Sequence, residues 1–368
     1  MGTSKARKKR KREATRAREE QWTKSKRCTL SLAVAPPLAS AKGARSYNLD
    51  AATLAAGLVA RAAAVFRVDE LVVYDDGYCS PEAVPFVASI LRYLETPQYL
   101  RKHLVPTSSN LKRVGLLPPL DAPHHPRQHE WAPFREGCGV TEQCSAHVQS
   151  SSQHLHTHLA DVGLQSLCQL DQPISVGERV TVAMGDAAQG VRFNGCRIEC
   201  NDDTMQKKEK HRATSTSNPN AGSEGEDTRS YYFGKAVDCS TPRKEHGMYW
   251  SFNVREAKGL NDAINQCPFA QKYSCVVGTS ERAESLHTSV GESIRSNRGE
   301  HMLLVLGGQE GLEAAAETDR KIKAGSSVSD LFDYYINCIP DQGSRTVRTE
   351  EAAFACLAVL QPYVIADR

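Results

Sequence analysis

The segment His301–Leu360 constrains the fold more than any other part of the chain, because it carries one plan twice. A short apolar run, Leu303 to Leu306, stops at Gly307-Gly308-Gln309-Glu310-Gly311. A second, Tyr334 to Ile339, stops at a loop from Pro340 to Thr349, and a helical pattern follows each loop. Strand, small-residue loop, helix is the unit with which an α/β sheet builds a ligand crevice at its strand ends. Glycine there lets backbone amides approach a ligand with no Cβ between them. The second loop is fixed by Pro340, opened by Gly343 and charged by Arg345 and Arg348. Thr349 is placed to cap the last helix, with Glu350 and Glu351 at the positive end of its dipole. Phe354, Leu357, Ala358 and Gln361 predict that helix's buried face. The chain has no GxxxxGKS/T, and GGQEG is not GxGxxG, which argues against a P-loop and a Rossmann dinucleotide site. Taken singly, each loop also fits an ordinary strand-to-helix turn.

Upstream, Cys28 to Ala35 reads as a first strand ended by Pro36-Pro37. Asp50 to Phe66 has helical spacing through Leu54, Leu58, Val59, Ala62, Val65 and Phe66, and leads into Glu70–Tyr74, a buried parallel strand. Ser80-Pro81-Glu82 and Thr96-Pro97 each read as a cap followed by a first-turn proline, the first helix burying Phe86, Ile90 and Leu94. Leu116 to Gly137 is too rich in proline for a helix. It interleaves His124, His125, Arg127, His129 and Arg135 with Trp131 and Phe134, which suits a phosphate-and-base contact surface and equally a structural linker.

From Cys138 to Glu256 the pattern turns to short β-rich segments: Glu178–Met184, Gly190–Ile198, Tyr231–Val237 and Met248–Val254. They predict a small β-barrel of OB type, with Phe193, Tyr231, Tyr249 and Trp250 as stacking aromatics or barrel core. Asn201 to Arg229 is nearly devoid of apolar residues and reads as a disordered loop. The α/β pattern resumes at Leu260, and Lys272–Gly278 is a strand entering Thr279, Ser280, Glu281 and Arg282. The expected organisation is a basic tail (1–27), a first α/β part (28–137), an inserted OB-like β domain (138–256) and a second α/β part (257–368).

The net charge of +3 hides an asymmetry. Residues 1–27 hold twelve Lys or Arg against three Glu, so the rest of the chain carries six net negative charges. Lys5 to Arg12 therefore reads as a nuclear-localisation or RNA-contact patch, or as a solvated tail. No apolar run reaches the roughly 18 residues of a membrane span and no signal-peptide core is present, so a soluble intracellular protein is expected. The twelve cysteines are scattered, many in apolar contexts, as reduced core thiols are. Cys138/Cys144, Cys196/Cys200 and the alternating His154, His156 and His158 lack CxxC spacing, and no metal is assigned.

In this order the motifs resemble those of the SPOUT methyltransferases. Residues 55–71 (AAGLVARAAAVFRVDEL) are similar to the family's first motif, while LGGQEGLEA and IPDQGSRTVRTEEA resemble its second and third. VDELVVYDD, PQYLRK, PLDAPHHPRQ, FREG and VGTSER narrow the likeness to the eukaryotic and archaeal branch with an OB-like insertion. Ala55 replaces that motif's first Asn, and Arg345-Thr346-Val347 stands where ribose methyltransferases have Ser-Leu-Asn, so a base nitrogen, uridine N3 among them, is expected over a ribose oxygen. The resemblance implies a trefoil-knotted parallel sheet and S-adenosylmethionine as methyl donor. It also implies a homodimer with composite sites, and structured RNA, ribosomal above all, as substrate, with the nucleus or nucleolus as location. It places the donor among Gly278, Thr279, Ser280, Leu306, Gly307, Gly308, Gly311, Asn337, Ile339, Gln342, Gly343, Ser344, Thr346 and Thr349. Arg61, Arg345 and Arg348 become the catalytic arginines, and His124, His125, Arg127 and Arg135 the RNA contacts. A non-catalytic RNA-assembly scaffold on the same fold is the competing reading.

Overall fold

The computed structural model describes residues 28–37, 48–141, 156–185, 193–194 and 230–364. The basic tail, the run 201–229, His154, Cys144, Cys196 and Cys200 lie outside them. In chain order the strands are β1 (Thr29–Val34), β2 (Glu70–Tyr74), β3 (Phe134–Gly139), β4 (His156–Asp161), β5 (Cys168–Ser175) and β6 (Arg179–Ala183). After them come β7 (Phe193–Asn194), β8 (Ser230–Val237), β9 (Asn253–Ala257), β10 (Cys275–Ser285), β11 (His301–Leu306) and β12 (Tyr334–Asn337). The helices are α1 (Leu49–Val65), α2 (Ala83–Glu95), α3 (Arg101–Leu104), α4 (Thr241–His246), α5 (Leu260–Asn265), α6 (Thr288–Asn297), α7 (Gly311–Thr318) and α8 (Thr349–Val364).

The chain divides into two units: residues 1–96, 105–125 and 240–368 form one, and 97–104 with 126–239 form the other. The first is built on a parallel sheet of strand order β12-β10-β11-β1-β2-β9. Its central strands β11, β1 and β2 read as largely apolar runs because both faces are covered and successive side chains point to opposite faces. Leu30, Leu32, Val34, Leu71, Val73, Met302 and Leu304 pack with Val59, Val87, Ile294 and Leu357 of α1, α2, α6 and α8. Their neighbours Ala33, Val72, Tyr74, Leu303 and Val305 pack with Leu260, Ala263, Leu312 and Ala315 of α5 and α7.

The second unit is a closed five-stranded β-barrel, β5-β4-β3-β6-β8, with β5 and β8 sealing it in parallel. Its apolar interior includes Ala160, Val162, Cys168, Leu170, Ile174, Val182 and Met184. The barrel's first strand begins at Phe134, inside the stretch read as extended, and its inward positions include Gly137 and Gly139, where a Cβ would meet Ala160, Val162, Val180 and Ile174 of the interior.

Other boundaries also differ from expectation. Met248–Val254 is not a barrel strand: Asn253–Ala257 pairs in parallel with β2 as the sheet's edge. Tyr249 and Trp250 are buried in the first unit, the Tyr249 hydroxyl donating to the Val68 carbonyl at 3.0 Å. Ser80 does not cap α2, which begins three residues later behind Glu82. On α8 the buried stripe is Ala353, Cys356, Leu357, Leu360 and Val364, while Ala358 and Gln361 are exposed.

Candidate active site at the strand ends

Three loops converge where the carboxyl ends of β10, β11 and β12 lie side by side. Thr279 pairs with Leu306 on one side and Ile336 on the other, so the expected residues of three distant segments share one edge of the sheet. Tyr74 on β2 donates its buried hydroxyl to the Leu306 carbonyl at 2.7 Å, fixing the end of β11. The Gly307–Gly311 turn is tight: a Cβ on Gly307 would lie 2.8 Å from the Leu312 amide nitrogen, and Gly311 adopts φ +85°. A Cβ on Gly308 would strike the Asp76 carboxylate, whose other oxygen accepts the Tyr78 and Cys79 amides at 3.0 and 2.9 Å. Gly278 serves packing instead, since a Cβ there would meet the Phe332 ring at 2.6 Å.

Side chains tie the three loops together. Glu313, two residues into α7, accepts from the Ser280 hydroxyl at 3.0 Å and from the Tyr335 hydroxyl at 2.8 Å. Burial pushes its carboxyl upward, but the backbone, Tyr335, Ser280 and the Arg282 charge outweigh it and hold the group below the ordinary glutamate range. Glu281 plays a matching part on β10. Its carbonyl accepts from Asn337 at 3.1 Å and its carboxylate from Gln342 at 2.9 Å. Asn337 Oδ1 accepts the Ile339 amide at 2.9 Å, and the Ser344 hydroxyl donates to the Thr346 carbonyl at 2.7 Å. Asn337, Gln342 and Ser344, expected to face a ligand, thus shape the loop through these bonds. Glu281, Glu313 and Tyr335 are absent from the sequence-derived set. The signal was faint: one carboxylate two residues after Gly311 and an aromatic in the middle of β12.

Arg345 and Arg348 are exposed in the loop before α8, and no atom lies within 4 Å of a Cβ built on Gly343. Thr349 is buried as the first residue of α8. Arg61 lies on α1 and donates to the Leu120 carbonyl within its own chain.

The expected RNA contacts are placed differently. His124 is 0% exposed, and it and His125 donate to the same Glu95 carbonyl at 3.0 and 2.7 Å, locking the end of α2. Arg135, also 0% exposed, donates to the carbonyls of Val162, Glu130, Pro126 and Arg127 and lies 5.5 Å from the Tyr99 ring centre. Two of the four expected contacts are therefore fully buried structural groups, their polar atoms engaged by the backbone: Arg135 by four carbonyls, and His124 by the Glu95 carbonyl and by the Ser251 amide, which donates to its Nδ1 at 3.3 Å. Arg127 is exposed.

Cys28, Cys138, Cys168 and Cys275 are buried free thiols, and burial pushes them up to about 11, 11, 12 and 12. Among the described residues the one grouping with metal-ligand geometry is Asp75, Asp76 and Cys79, already engaged by local amides.

Three loops on adjacent parallel strand ends occupy the place where open α/β sheets bind ligands. The chain belongs to the family described as "Putative RNA methyltransferase", whose model matches residues 29–360. It is 34% identical over 371 residues to a Drosophila melanogaster protein named 28S rRNA (uridine-N(3))-methyltransferase, covering 95% of this chain and 65% of that one. A Homo sapiens protein of the same name is 35% identical over 349 residues, covering 91% of this chain and 79% of the relative. An uncharacterized Halobacterium salinarum protein is 29% identical over 319 residues, covering 84% and 92%. The family read from the motifs is borne out. Among the described residues no helix is long and apolar enough to cross a membrane.

Proposed function

We propose that this protein transfers the methyl group of S-adenosylmethionine to N3 of a uridine in large-subunit ribosomal RNA. The observation that carries the reading is the convergence of the three loops in a chain 35% identical, over 91% of its length, to a protein named for that reaction. The order β12-β10-β11 at one edge supports a SPOUT trefoil knot, and the closed five-stranded barrel supports an OB-like RNA-binding insertion.

The residues fit such a donor: Gly307 and Gly308 form a tight turn that no side chain could share, and the Gly343 loop leaves open space at its own Cβ position. The donor supplies a methyl group already activated by its sulfonium. What remains for the chain is to hold the uridine in line and to deal with its N3 proton. Arg345 and Arg348, exposed at the rim, are suited to the negative charge that the base develops on losing that proton. Glu281 and Glu313 keep the loops in register without entering the chemistry.

A homodimer belongs to the same proposal. Leu54, Leu58 and Val65 of α1 are 46%, 46% and 47% exposed and recur at helical spacing with Arg61, an apolar stripe suited to a second copy of this chain. Arg61 is then the arginine that reaches the neighbouring site, and the nucleus, including the nucleolus, is the matching location. The test is incubation of the purified protein with labelled donor and large-subunit rRNA from cells depleted of it. Nucleoside mass spectrometry should find 3-methyluridine. Label on ribose, or donor binding that fails altogether, would sink the reading, the second outcome favouring a scaffold.

A further inference from the structure

The carboxyl edge of the parallel sheet does not end at the three loops. Because its strands run in parallel, the segments that follow β2 and β9 leave at that same edge, on the far side of β1. The segment after β2 is held at several points. Asp76 Oδ1 accepts the Tyr78 and Cys79 amides, Gly77 adopts φ +79° against the Thr318 side chain, and the Thr318 hydroxyl donates to the Asp76 carbonyl at 2.9 Å. The Asp75 amide donates to the Ala257 carbonyl at 3.1 Å, which ties the end of β9 to the same loop. Asp76 Oδ2 occupies the place of a Cβ on Gly308, so the loop stands directly beside the turn after β11.

On this framework Tyr78 is 37% exposed, and no hydrogen bond or ring contact engages its side chain among the described residues. Tyr74, Tyr99, Tyr249, Tyr273 and Tyr335, by contrast, all have bonded hydroxyls. A solitary exposed aromatic is ordinary, so its neighbours decide what it means. Thr318, packed on Gly77, is followed two residues later by Arg320 and then by Lys323, while Lys258 follows β9. All three cations are exposed and have no ion-pair partner among the described residues. Asp319 fixes their turn: its carboxylate accepts the Asn261 and Lys321 amides at 2.8 and 2.9 Å and takes the place of a Cβ on Gly259. Asp75, Asp76 and Asp319 are thus spent on amides, and Asp262 on Lys321 at 2.6 Å. The exposed acids Glu82, Glu310 and Glu317 restrict the feature to a local contact, not a broad basic face.

We propose that this loop and turn form a second rim of the RNA site, Tyr78 stacking on an unpaired base near the target uridine while Lys258, Arg320 and Lys323 meet phosphates of the same strand. The proposal rests on the reading of the crevice as a methyltransferase site. Arg345 and Arg348, after β12, mark the first rim. β12 and β2 are four strand spacings apart, about 19 Å, so a single strand laid along this edge passes over the donor loops between the two rims. The carboxylate of Asp76 stands between Gly308 and the Tyr78 amide, which keeps the ring apart from the donor. An aromatic platform beside cations suits unpaired nucleotides, whose base faces are free to stack.

The experiment measures binding of end-labelled oligouridine to the full chain by fluorescence anisotropy over a range of salt, beside calorimetry with S-adenosylhomocysteine and melting curves. The variants are Tyr78→Ala, Tyr78→Phe and the pair Arg320→Ala with Lys323→Ala. Tyr78→Ala should weaken RNA binding roughly fivefold to 150-fold, the range for losing one stacked base, while Tyr78→Phe, which keeps the ring, stays within about twofold of wild type. The paired variant should flatten the dependence of log K on log salt by about 1.4, for two lost phosphate contacts on a single strand. S-adenosylhomocysteine affinity and melting temperature should not move in any of them. RNA binding by Tyr78→Ala at wild-type strength overturns the stacking, and an unchanged salt slope overturns the phosphate contacts. A Tyr78→Ala protein that loses S-adenosylhomocysteine instead places the ring in the donor site, and one that melts far below wild type makes it packing; either result overturns the proposal. Wild type that binds no S-adenosylhomocysteine, with RNA binding still lost in Tyr78→Ala, sinks the methyltransferase reading and leaves the rim standing on a scaffold.

Discussion

The barrel and the strand-end site spend charge in opposite ways. In the barrel, Arg135 is surrounded by four carbonyls and Glu136 by Arg179 and Thr181, so these side chains are consumed by the fold. At the ends of β10, β11 and β12 the carboxylates of Glu281 and Glu313 join loops, while Arg345 and Arg348 remain at the surface. Both regions are rich in polar residues in sequence. What separates them is whether each polar atom already has a partner: a satisfied charge is architecture, and an uncommitted one is available for chemistry.

That contrast is broken most directly by Arg135→Ala. The substitution strips donors from four carbonyls and empties the space over Tyr99, so it is expected to destabilise the protein by about 3–5 kcal/mol, the scale for removing one partner from a buried charged network. Urea unfolding followed by fluorescence measures it. If Arg135→Ala folded normally and lost only RNA affinity, the RNA-contact reading of Arg135 would be restored. Next in size is Gly307→Ala, whose methyl would press on the Leu312 amide at the turn into α7. A shift of backbone there is expected to cost about 1–3 kcal/mol, visible in the melting temperature, with donor binding lost alongside.

Glu313 sharpens the comparison through pH. Its folded carboxyl lies below the ordinary range, so the stabilisation it contributes is complete above the unfolded value of about 4.3 and is lost as pH falls through the folded one. Glu313→Gln should therefore be less stable than wild type near neutrality, by about 1–2 kcal/mol for two hydrogen bonds to a partly screened charge. The difference should close in acid. Unfolding curves between neutrality and pH 3 for both proteins would show this, and a difference independent of pH would remove the charge from the explanation.

How much of this was legible in the sequence follows from the same distinction. β1, β2 and β11 were readable as apolar runs, and the three loops as motifs, because covered parallel strands and glycine turns write themselves into local composition. β9 was not, since Met248–Val254 reads as a barrel strand and the parallel partner of Asn253–Ala257 lies far away at Glu70–Tyr74. His124 and Arg135 misled for a related reason: a histidine or arginine in a proline-rich stretch carries no mark that distant carbonyls have claimed it. Tyr78 shows the converse, for its want of a partner is a property of packing and appears in no motif.

Gly343→Arg has the smallest expected effect on stability and separates the two regions most cleanly. A Cβ at this position meets nothing within 4 Å, and the backbone is not in the left-handed region, so the fold can take the longer side chain at a cost within about 0.5 kcal/mol. The space that accepts it is the space assigned to the methyl donor. Melting temperature should stay near wild type while calorimetry shows S-adenosylmethionine binding abolished and methyl transfer falls to background. An unchanged affinity would move the donor away from this loop. A lost affinity with intact stability is a combination that Arg135→Ala, acting through the barrel's own framework, cannot produce.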